Sequence, residues 1–222
     1  MVPRSENHVR LGILLVFLPI ASILAVASST GGQERATDDS WIEMFNGKDL
    51  AGWVVNEAKD SVRVEDGALV TNGPRAHAFF VGADGKADFT NFEFQAEVKT
   101  EKNANSGIYF HTKFLEEGWP DKGYEAQVNN THSDPKKTGG LYAVKDNFHT
   151  PVEDGEWFLY EIRVKGRTIE LKINGQTITE YTEEENLNRP ERQLDHGTIA
   201  LQAHDPGSKV YYRNLKIRKL PD

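Results

Sequence analysis

Cysteine is absent from all 222 residues of the chain, so no disulfide staples the fold and no thiol can act as nucleophile, metal ligand or lipidation site. A domain of about 190 residues can bury enough apolar surface without such links. Paired metal ligands are missing as well. The seven histidines are scattered, with no His-x-His or His-x₃-His step and no Asp-rich calcium loop. No metal site is expected on that basis, and ions held by residues distant in sequence are left open. No nucleophile elbow, Walker loop or dinucleotide fingerprint occurs, so no cofactor is expected. Positive charge is also short. Against 34 acidic residues stand 26 basic ones, a net charge of −8. Such a surface offers no footprint for nucleic acid, is repelled by anionic membranes and gains nothing from acidic polysaccharides. A neutral ligand fits best. Helical periodicity is lacking throughout; the best candidate for a helical turn is Thr182 to Leu187.

Long apolar runs are confined to one place. Leu11 to Ala27 carries no charge, follows Arg4 and Arg10, and ends on Ala25-Val26-Ala27. A basic start, an apolar middle and a small-residue step read as an export signal over residues 1–27. Residues 28–40 then form a small, polar linker. The mature protein is expected in the periplasm or outside the cell, off the membrane once the signal is cleaved. Losing Arg4, Glu6 and Arg10, a net +1, would take the charge to −9. The run of about 17 residues sits at the lower limit for a membrane span, so an uncleaved anchor is the alternative. Nothing here sets the oligomeric state.

From Trp41 onward short apolar alternations are broken by turn signals roughly every ten residues. Val62 to Val70 reads as a hairpin around Asp66-Gly67. Phe92 to Val98 alternates cleanly. Trp157 to Ile178 reads as a meander with Asn174-Gly175 at a type I′ turn. Val210 to Leu220 is the closing strand. More than ten short strands in one flat sheet would leave wet faces and open edges, whereas two stacked sheets bury one face of each. The expected fold is all-β, a two-sheet sandwich over residues 41–222. The long connection from Asn129 to Gly155 then crosses one face as loops.

Three of these strands carry polar groups on one face only. Ile108 and Phe110 oppose Tyr109 and His111; Tyr124, Ala126 and Val128 oppose Glu125 and Gln127; Ile199, Leu201 and Ala203 oppose Gln202 and His204. If the strands share a sheet, their polar face furnishes a sugar-binding groove. Trp119, Tyr109 and Tyr142 could supply flat platforms for a sugar ring, with core packing as the competing role. Trp53 and Trp157 are assigned to the core, and His77, His132, His149 and His196 to loops.

Seven segments, in order, resemble the bacterial family once catalogued as a domain of unknown function and now called the 3-keto-disaccharide hydrolase domain. They are Phe45-Asn46-Gly47-Lys48-Asp49-Leu50-Ala51-Gly52-Trp53, Asn105 to Phe110, Gly123 to Val128, Thr138-Gly139-Gly140-Leu141-Tyr142, Gly155-Glu156-Trp157, Leu201-Gln202-Ala203-His204 and Tyr212 to Ile217. The resemblance implies a concanavalin A-like jelly roll and action on sugars already oxidised at carbon 3. Where members often carry Gly after the histidine, Asp205-Pro206-Gly207 follows here, which leaves the loop beyond His204 open. The two-acid laminarinase pattern is absent, so ordinary two-carboxylate hydrolysis is not supported.

A ketone at carbon 3 acidifies the hydrogen on carbon 2, and the resulting enolate can expel the oxygen on carbon 1. Such an elimination needs a base, a cation near the carbonyl oxygen and an acid for the leaving group. Glu125 and His204 are the candidates for base and acid, and Arg213 for the cation, unless Arg213 is an ion-pair partner. Asn105, Tyr109, His111, Trp119, Gln127, Tyr142 and Gln202 are the expected substrate-binding set. The rival readings are a non-catalytic carbohydrate-binding domain and a structural or adhesive domain.

Overall fold

The computed structural model describes residues 1–3 and 40–222; the expected export signal and nearly all of the linker lie outside the described residues. Among the described residues no helix is long and apolar enough to cross a membrane.

Thirteen strands follow in chain order: β1 Ile42–Glu43, β2 Trp53–Val55, β3 Val62–Glu65, β4 Ala68–Thr71, β5 Ala76–Phe80, β6 Phe92–Thr100, β7 Ser106–Thr112, β8 Tyr124–Val128, β9 Phe158–Lys165, β10 Thr168–Ile173, β11 Gln176–Thr182, β12 Thr198–Ala203 and β13 Val210–Lys219. They build two antiparallel sheets. The larger runs β11-β10-β9-β6-β13-β4-β3 with β1 added on β13; the smaller runs β2-β5-β12-β7-β8. The all-β, two-layer expectation is met. A 3₁₀ turn at Lys59–Ser61 is the one helical element among the described residues. Thr182 to Leu187 is the end of β11 followed by an isolated turn, because Glu183 is drawn inward to accept hydrogen bonds from the Tyr124 hydroxyl and the Leu194 N–H.

Side-chain alternation explains the packing. In β6, Phe92, Phe94, Ala96 and Val98 point inward while Glu93, Gln95, Glu97 and Lys99 face out. The same phase puts Tyr160, Ile162 and Val164 of β9 and Leu171 of β10 in the core. These meet Ile108, Phe110, Tyr124, Ala126, Ile199 and Leu201 of the smaller sheet in one continuous cluster. Two hairpins close on left-handed pairs, Asp66-Gly67 (φ 47° and 78°) and Asn174-Gly175 (50° and 77°), as the type I′ geometry demands. Trp53 is buried, its indole N–H donating to Met44 O at 2.6 Å. Trp157 is not in the core, contrary to expectation. It precedes β9 and lies half-buried on the outer face of the larger sheet, with the Arg213 guanidinium 4.0 Å from its ring centroid.

The two sheets differ in what covers their outer faces. The larger sheet turns a charged, half-exposed face outward. In β7, β8 and β12 every residue is buried, on both faces. The second face of this sheet is covered by connecting segments, and there the site forms.

Candidate active site

Across that second face, Tyr109 of β7, Glu125 and Gln127 of β8, and Gln202 of β12 lie side by side. Antiparallel register sets Glu125 against Tyr109, and Ala200 of β12 against Tyr109 on its other side. Asn105 and His204 extend the row from the ends of β7 and β12. Three loops wall it: Trp119 comes from the β7–β8 connection, Asp134 and Tyr142 from the β8–β9 connection, and Arg192 from the β11–β12 connection. Together these ten residues enclose a cavity of about 310 Å³, near the lower end of the range for small-molecule pockets. A wider groove of about 800 Å³ runs along β1 and β2, but none of the buried, unpartnered polar atoms belongs to a residue lining it.

Eight of the ten expected site residues line the cavity: Glu125, His204, Asn105, Tyr109, Trp119, Gln127, Tyr142 and Gln202. Arg213 does not. It sits on β13 in the other sheet, faces outward, and its Nε donates to Glu97 at 2.6 Å. Alternation is regular up to that point, with Val210 and Tyr212 inward, and the bulge marked by Asn214 at φ 52° comes only after it. His111 is also absent from the cavity. Its φ of +54° and the extra residue in β7 opposite Thr198–Ala200 make a bulge, which breaks the strict alternation that placed it beside Tyr109. The ring packs instead against Phe92 and Phe110, donates from Nε2 to Thr90 O at 2.8 Å and accepts the Asp195 N–H on Nδ1 at 3.2 Å. It thereby pins the loop that carries Arg192.

Glu125 is buried beneath the cavity, 4% exposed. Its Oε1 accepts from Gln202 Nε2 at 3.1 Å, and Gln202 Nε2 also donates to the Tyr109 hydroxyl at 3.1 Å. Desolvation raises the Glu125 carboxyl above its ordinary range, outweighing the Tyr109 hydrogen bond and the charge of Arg192 that favour the ionised form. Burial, joined by the Glu125 charge, holds the Tyr109 phenol well above its usual value, so it stays protonated.

His204 ends its strand and points its Nδ1 at Oδ2 of Asp205, 2.7 Å away. A carboxylate only accepts, so Nδ1 carries the proton and Nε2 is the basic nitrogen. Burial pushes the Asp205 carboxyl up, but hydrogen bonds from His204, the Ser208 hydroxyl and the Gly207 N–H overcome this and keep it below the ordinary value. The His204 ring packs 5.5 Å from Trp119 and 5.8 Å from His132.

Gln127 donates from Nε2 to Asn105 Oδ1 at 3.0 Å, while its Oε1 is buried without a partner. Arg192 Nη1 is likewise buried and unpartnered. Both residues line the cavity, so the unmet acceptor and donor point to a polar ligand.

Sequence reasoning missed Asp134 and Arg192, which sit in irregular loops where no periodicity marks them. It also placed His77 in a loop. His77 lies in β5, fully buried, with its ring 5.4 Å from Tyr109 and 5.6 Å from Trp119. Burial lowers its pKa to about 4, so it is neutral near pH 7. Trp119, 44% exposed, stands over this floor with the Arg75 guanidinium 5.4 Å from its ring. Arg75 in turn makes two hydrogen bonds to Glu57, which accepts the Gly118 N–H. The tryptophan loop is thus latched to the sheet.

The model of the 3-keto-alpha-glucoside-1,2-lyase-like domain matches residues 40–218. A 3-keto-disaccharide hydrolase of Bacteroides thetaiotaomicron is 26% identical over 235 aligned positions, covering 82% of this chain and 79% of that protein. A solved structure from Parabacteroides distasonis, provisionally named a glycosyl hydrolase, superposes with a TM-score of 0.69 at 25% identity, covering 82% of this chain and 94% of that one. The laminarinase of Rhodothermus marinus, at 12% identity and a TM-score of 0.53 over 82% and 94% of the two chains, shares the jelly-roll sandwich.

Proposed function

The chain belongs to the family of 3-keto-alpha-glucoside-1,2-lyase-like domains, and from that premise we propose that it cleaves 3-keto-glycosides by elimination across carbons 1 and 2, followed by hydration. The observation that carries this reading is the pairing, in one cavity, of a histidine with a basic nitrogen and a buried carboxyl that favours its proton. His204 is the base. Asp205 fixes its tautomer and stabilises the imidazolium that forms when Nε2 takes the carbon 2 proton. Glu125, biased toward the protonated form by burial, gives its proton to the departing oxygen on carbon 1. Proton transfers of this kind contribute about 10²–10⁴ each to a rate. Asn105, Gln127 and Gln202 offer amides to ring hydroxyls, and Trp119 and Tyr142 offer flat walls. A cavity of about 310 Å³ suits one sugar ring with its leaving group toward the open rim. Water then adds to carbon 1 of the unsaturated product to give the free 3-keto-sugar. The N-terminal run is part of the same proposal: export would place the enzyme with sugars outside the cytoplasm, and a mature protein beginning near residue 28 is the mass-spectrometric result that supports it.

The test is incubation with 3-keto-trehalose and 3-keto-sucrose beside the unoxidised sugars, with products and carbon 2 hydrogen exchange followed by NMR. Cleavage of the oxidised sugars alone is expected. Equal cleavage of oxidised and parent sugars removes the elimination mechanism. Tight binding with no product from any of them places the protein among carbohydrate-binding domains, a reading that the exposed Trp119 platform favours.

A further inference from the structure

An elimination through a carbon 3 enolate puts negative charge on one oxygen, and the cavity holds one residue suited to receive it. Arg192 lies on the connection between β11 and β12. Its guanidinium stands 5.9 Å from the centroid of the Tyr109 ring. Its charge reaches Glu125, and among the described residues Nη1 is buried with no hydrogen-bond partner. Leaving a charged donor dry and unsatisfied is costly unless a ligand oxygen meets it.

The loop around Arg192 is held at several points. Its own N–H donates to Arg189 O at 3.1 Å. Glu183, buried against the Tyr124 hydroxyl, accepts the Leu194 N–H at 2.7 Å, and His111 Nδ1 accepts the Asp195 N–H. A cation whose backbone is fixed this way, with a free donor, is preorganised for an oxygen that becomes charged only during reaction.

We propose that Arg192 binds the carbon 3 oxygen of the substrate and carries the enolate charge, the role the outward-facing Arg213 cannot fill. This rests on the elimination reading above. When His204 Nε2 takes the carbon 2 proton, the C–H electrons form the carbon 2–carbon 3 double bond and the carbonyl pair moves onto oxygen 3, facing the Arg192 guanidinium. On collapse the carbonyl reforms, a carbon 1–carbon 2 double bond forms, the carbon 1–oxygen bond breaks, and Glu125 protonates the leaving oxygen. No oxidant is consumed, so the keto group is supplied by a dehydrogenation at carbon 3 that precedes this enzyme. A parent alcohol gains little from Arg192, since its oxygen never becomes an anion. A carboxylated sugar is the rival ligand for a lone arginine, but it would bring its charge beside Glu125 and Asp134.

The experiment compares wild type, Arg192→Met and Arg192→Lys with 3-keto-trehalose as probe, reading kcat, KM and carbon 2 deuterium exchange. Arg192→Met is expected to lose about 10²–10³ in kcat, with exchange lost in parallel, because an oxyanion donor acts in the transition state. Arg192→Lys, which keeps the charge without the fork, recovers part of the rate, and guanidinium salt restores part of it to the Met variant. Circular dichroism and Tm confirm that the variants fold; if Arg192→Met does not, Arg192→Lys alone decides, by whether kcat falls with KM held. A wild type that works beside an equally active Arg192→Met overturns this inference and leaves the elimination reading intact. A wild type inactive on every 3-keto-glycoside overturns both. Selective, Arg192-dependent binding of a glucuronide, with ketone turnover indifferent to the residue, also overturns it.

Discussion

A side chain at Gly107 would collide with Glu125: an added Cβ would lie 2.3 Å from Oε1 and 2.8 Å from Cγ of that residue. Gly107 belongs to β7 and Glu125 to β8, so the bare backbone of one strand is the seat for the carboxyl of the next. Gly107→Ala is expected to force Glu125 off Gln202, costing about 1–3 kcal/mol of stability from overpacking. Turnover should fall by about 10² or more if Glu125 is the acid. Thermal unfolding together with kinetics checks this; an active Gly107→Ala protein with unchanged Tm would mean that Glu125 has slack in its seat.

Glu125→Gln keeps the shape of the buried group and removes its titration. The folded protein holds the Glu125 proton more tightly than the unfolded chain does. Its stabilising contribution is therefore complete below the unfolded value and is lost as pH rises through the raised folded value. Gln pays no such penalty. The stability of the variant relative to wild type should grow as pH climbs from about 4.5 into the neutral range, while turnover drops by about 10² or more. Urea denaturation across pH measures the first and product formation the second. A stability difference independent of pH would show that Glu125 titrates normally.

Asp205→Asn tests the partner of His204. The amide can present its N–H to Nδ1 and favour the wrong tautomer, leaving Nε2 protonated and unable to act as base. A fall in kcat of about 10², with KM little changed, is expected. Because hydrogen bonds hold Asp205 below its ordinary value, its contribution to stability is present above pH 3.8 and is lost only as pH falls through the depressed folded value. The variant should therefore lose some stability at neutral pH and match wild type in strong acid.

The two-sheet sandwich could be read from the chain because β6, β9 and β10 alternate without interruption, and because the Asp66-Gly67 and Asn174-Gly175 turns lie where the φ angles require them. The site could be read wherever strand phase alone decided it, as for Glu125, Gln127 and Gln202. It was lost at His111, where a bulge reset the phase, since one extra residue is invisible to a two-residue period, and at Arg213, because alternation within a strand does not say which of the two sheets the strand joins. Arg192 and Asp134 were beyond reach for a different reason: loops carry no period, and only the folded chain brings them over β8. Asp205 was visible only as a turn residue, though its place directly after the strand-end His204 is what lets it hold that ring.

Arg213 supplies the contrast that separates the two faces of the sandwich. It lies across the strands from Glu97, hydrogen-bonds it at 2.6 Å and covers Trp157, with side-chain exposures of 42% and 32% for the two ionic partners. An ion pair that open to water is worth only about 0.2–1 kcal/mol, and the cation–aromatic contact adds about 0.5–1 kcal/mol. Arg213→Lys keeps the charge and most of the contact with Trp157, so its Tm should shift by a few degrees at most, about what 1 kcal/mol produces in a domain of this size. Its kcat on a 3-keto-glycoside should equal that of wild type, while Arg192→Lys, in the loop that walls the cavity over the smaller sheet, is slowed. Measured side by side, the two conservative changes assign the catalytic cation to one sheet. A slowed Arg213→Lys with normal stability would return that role to the larger sheet and break the geometry argued for the cavity.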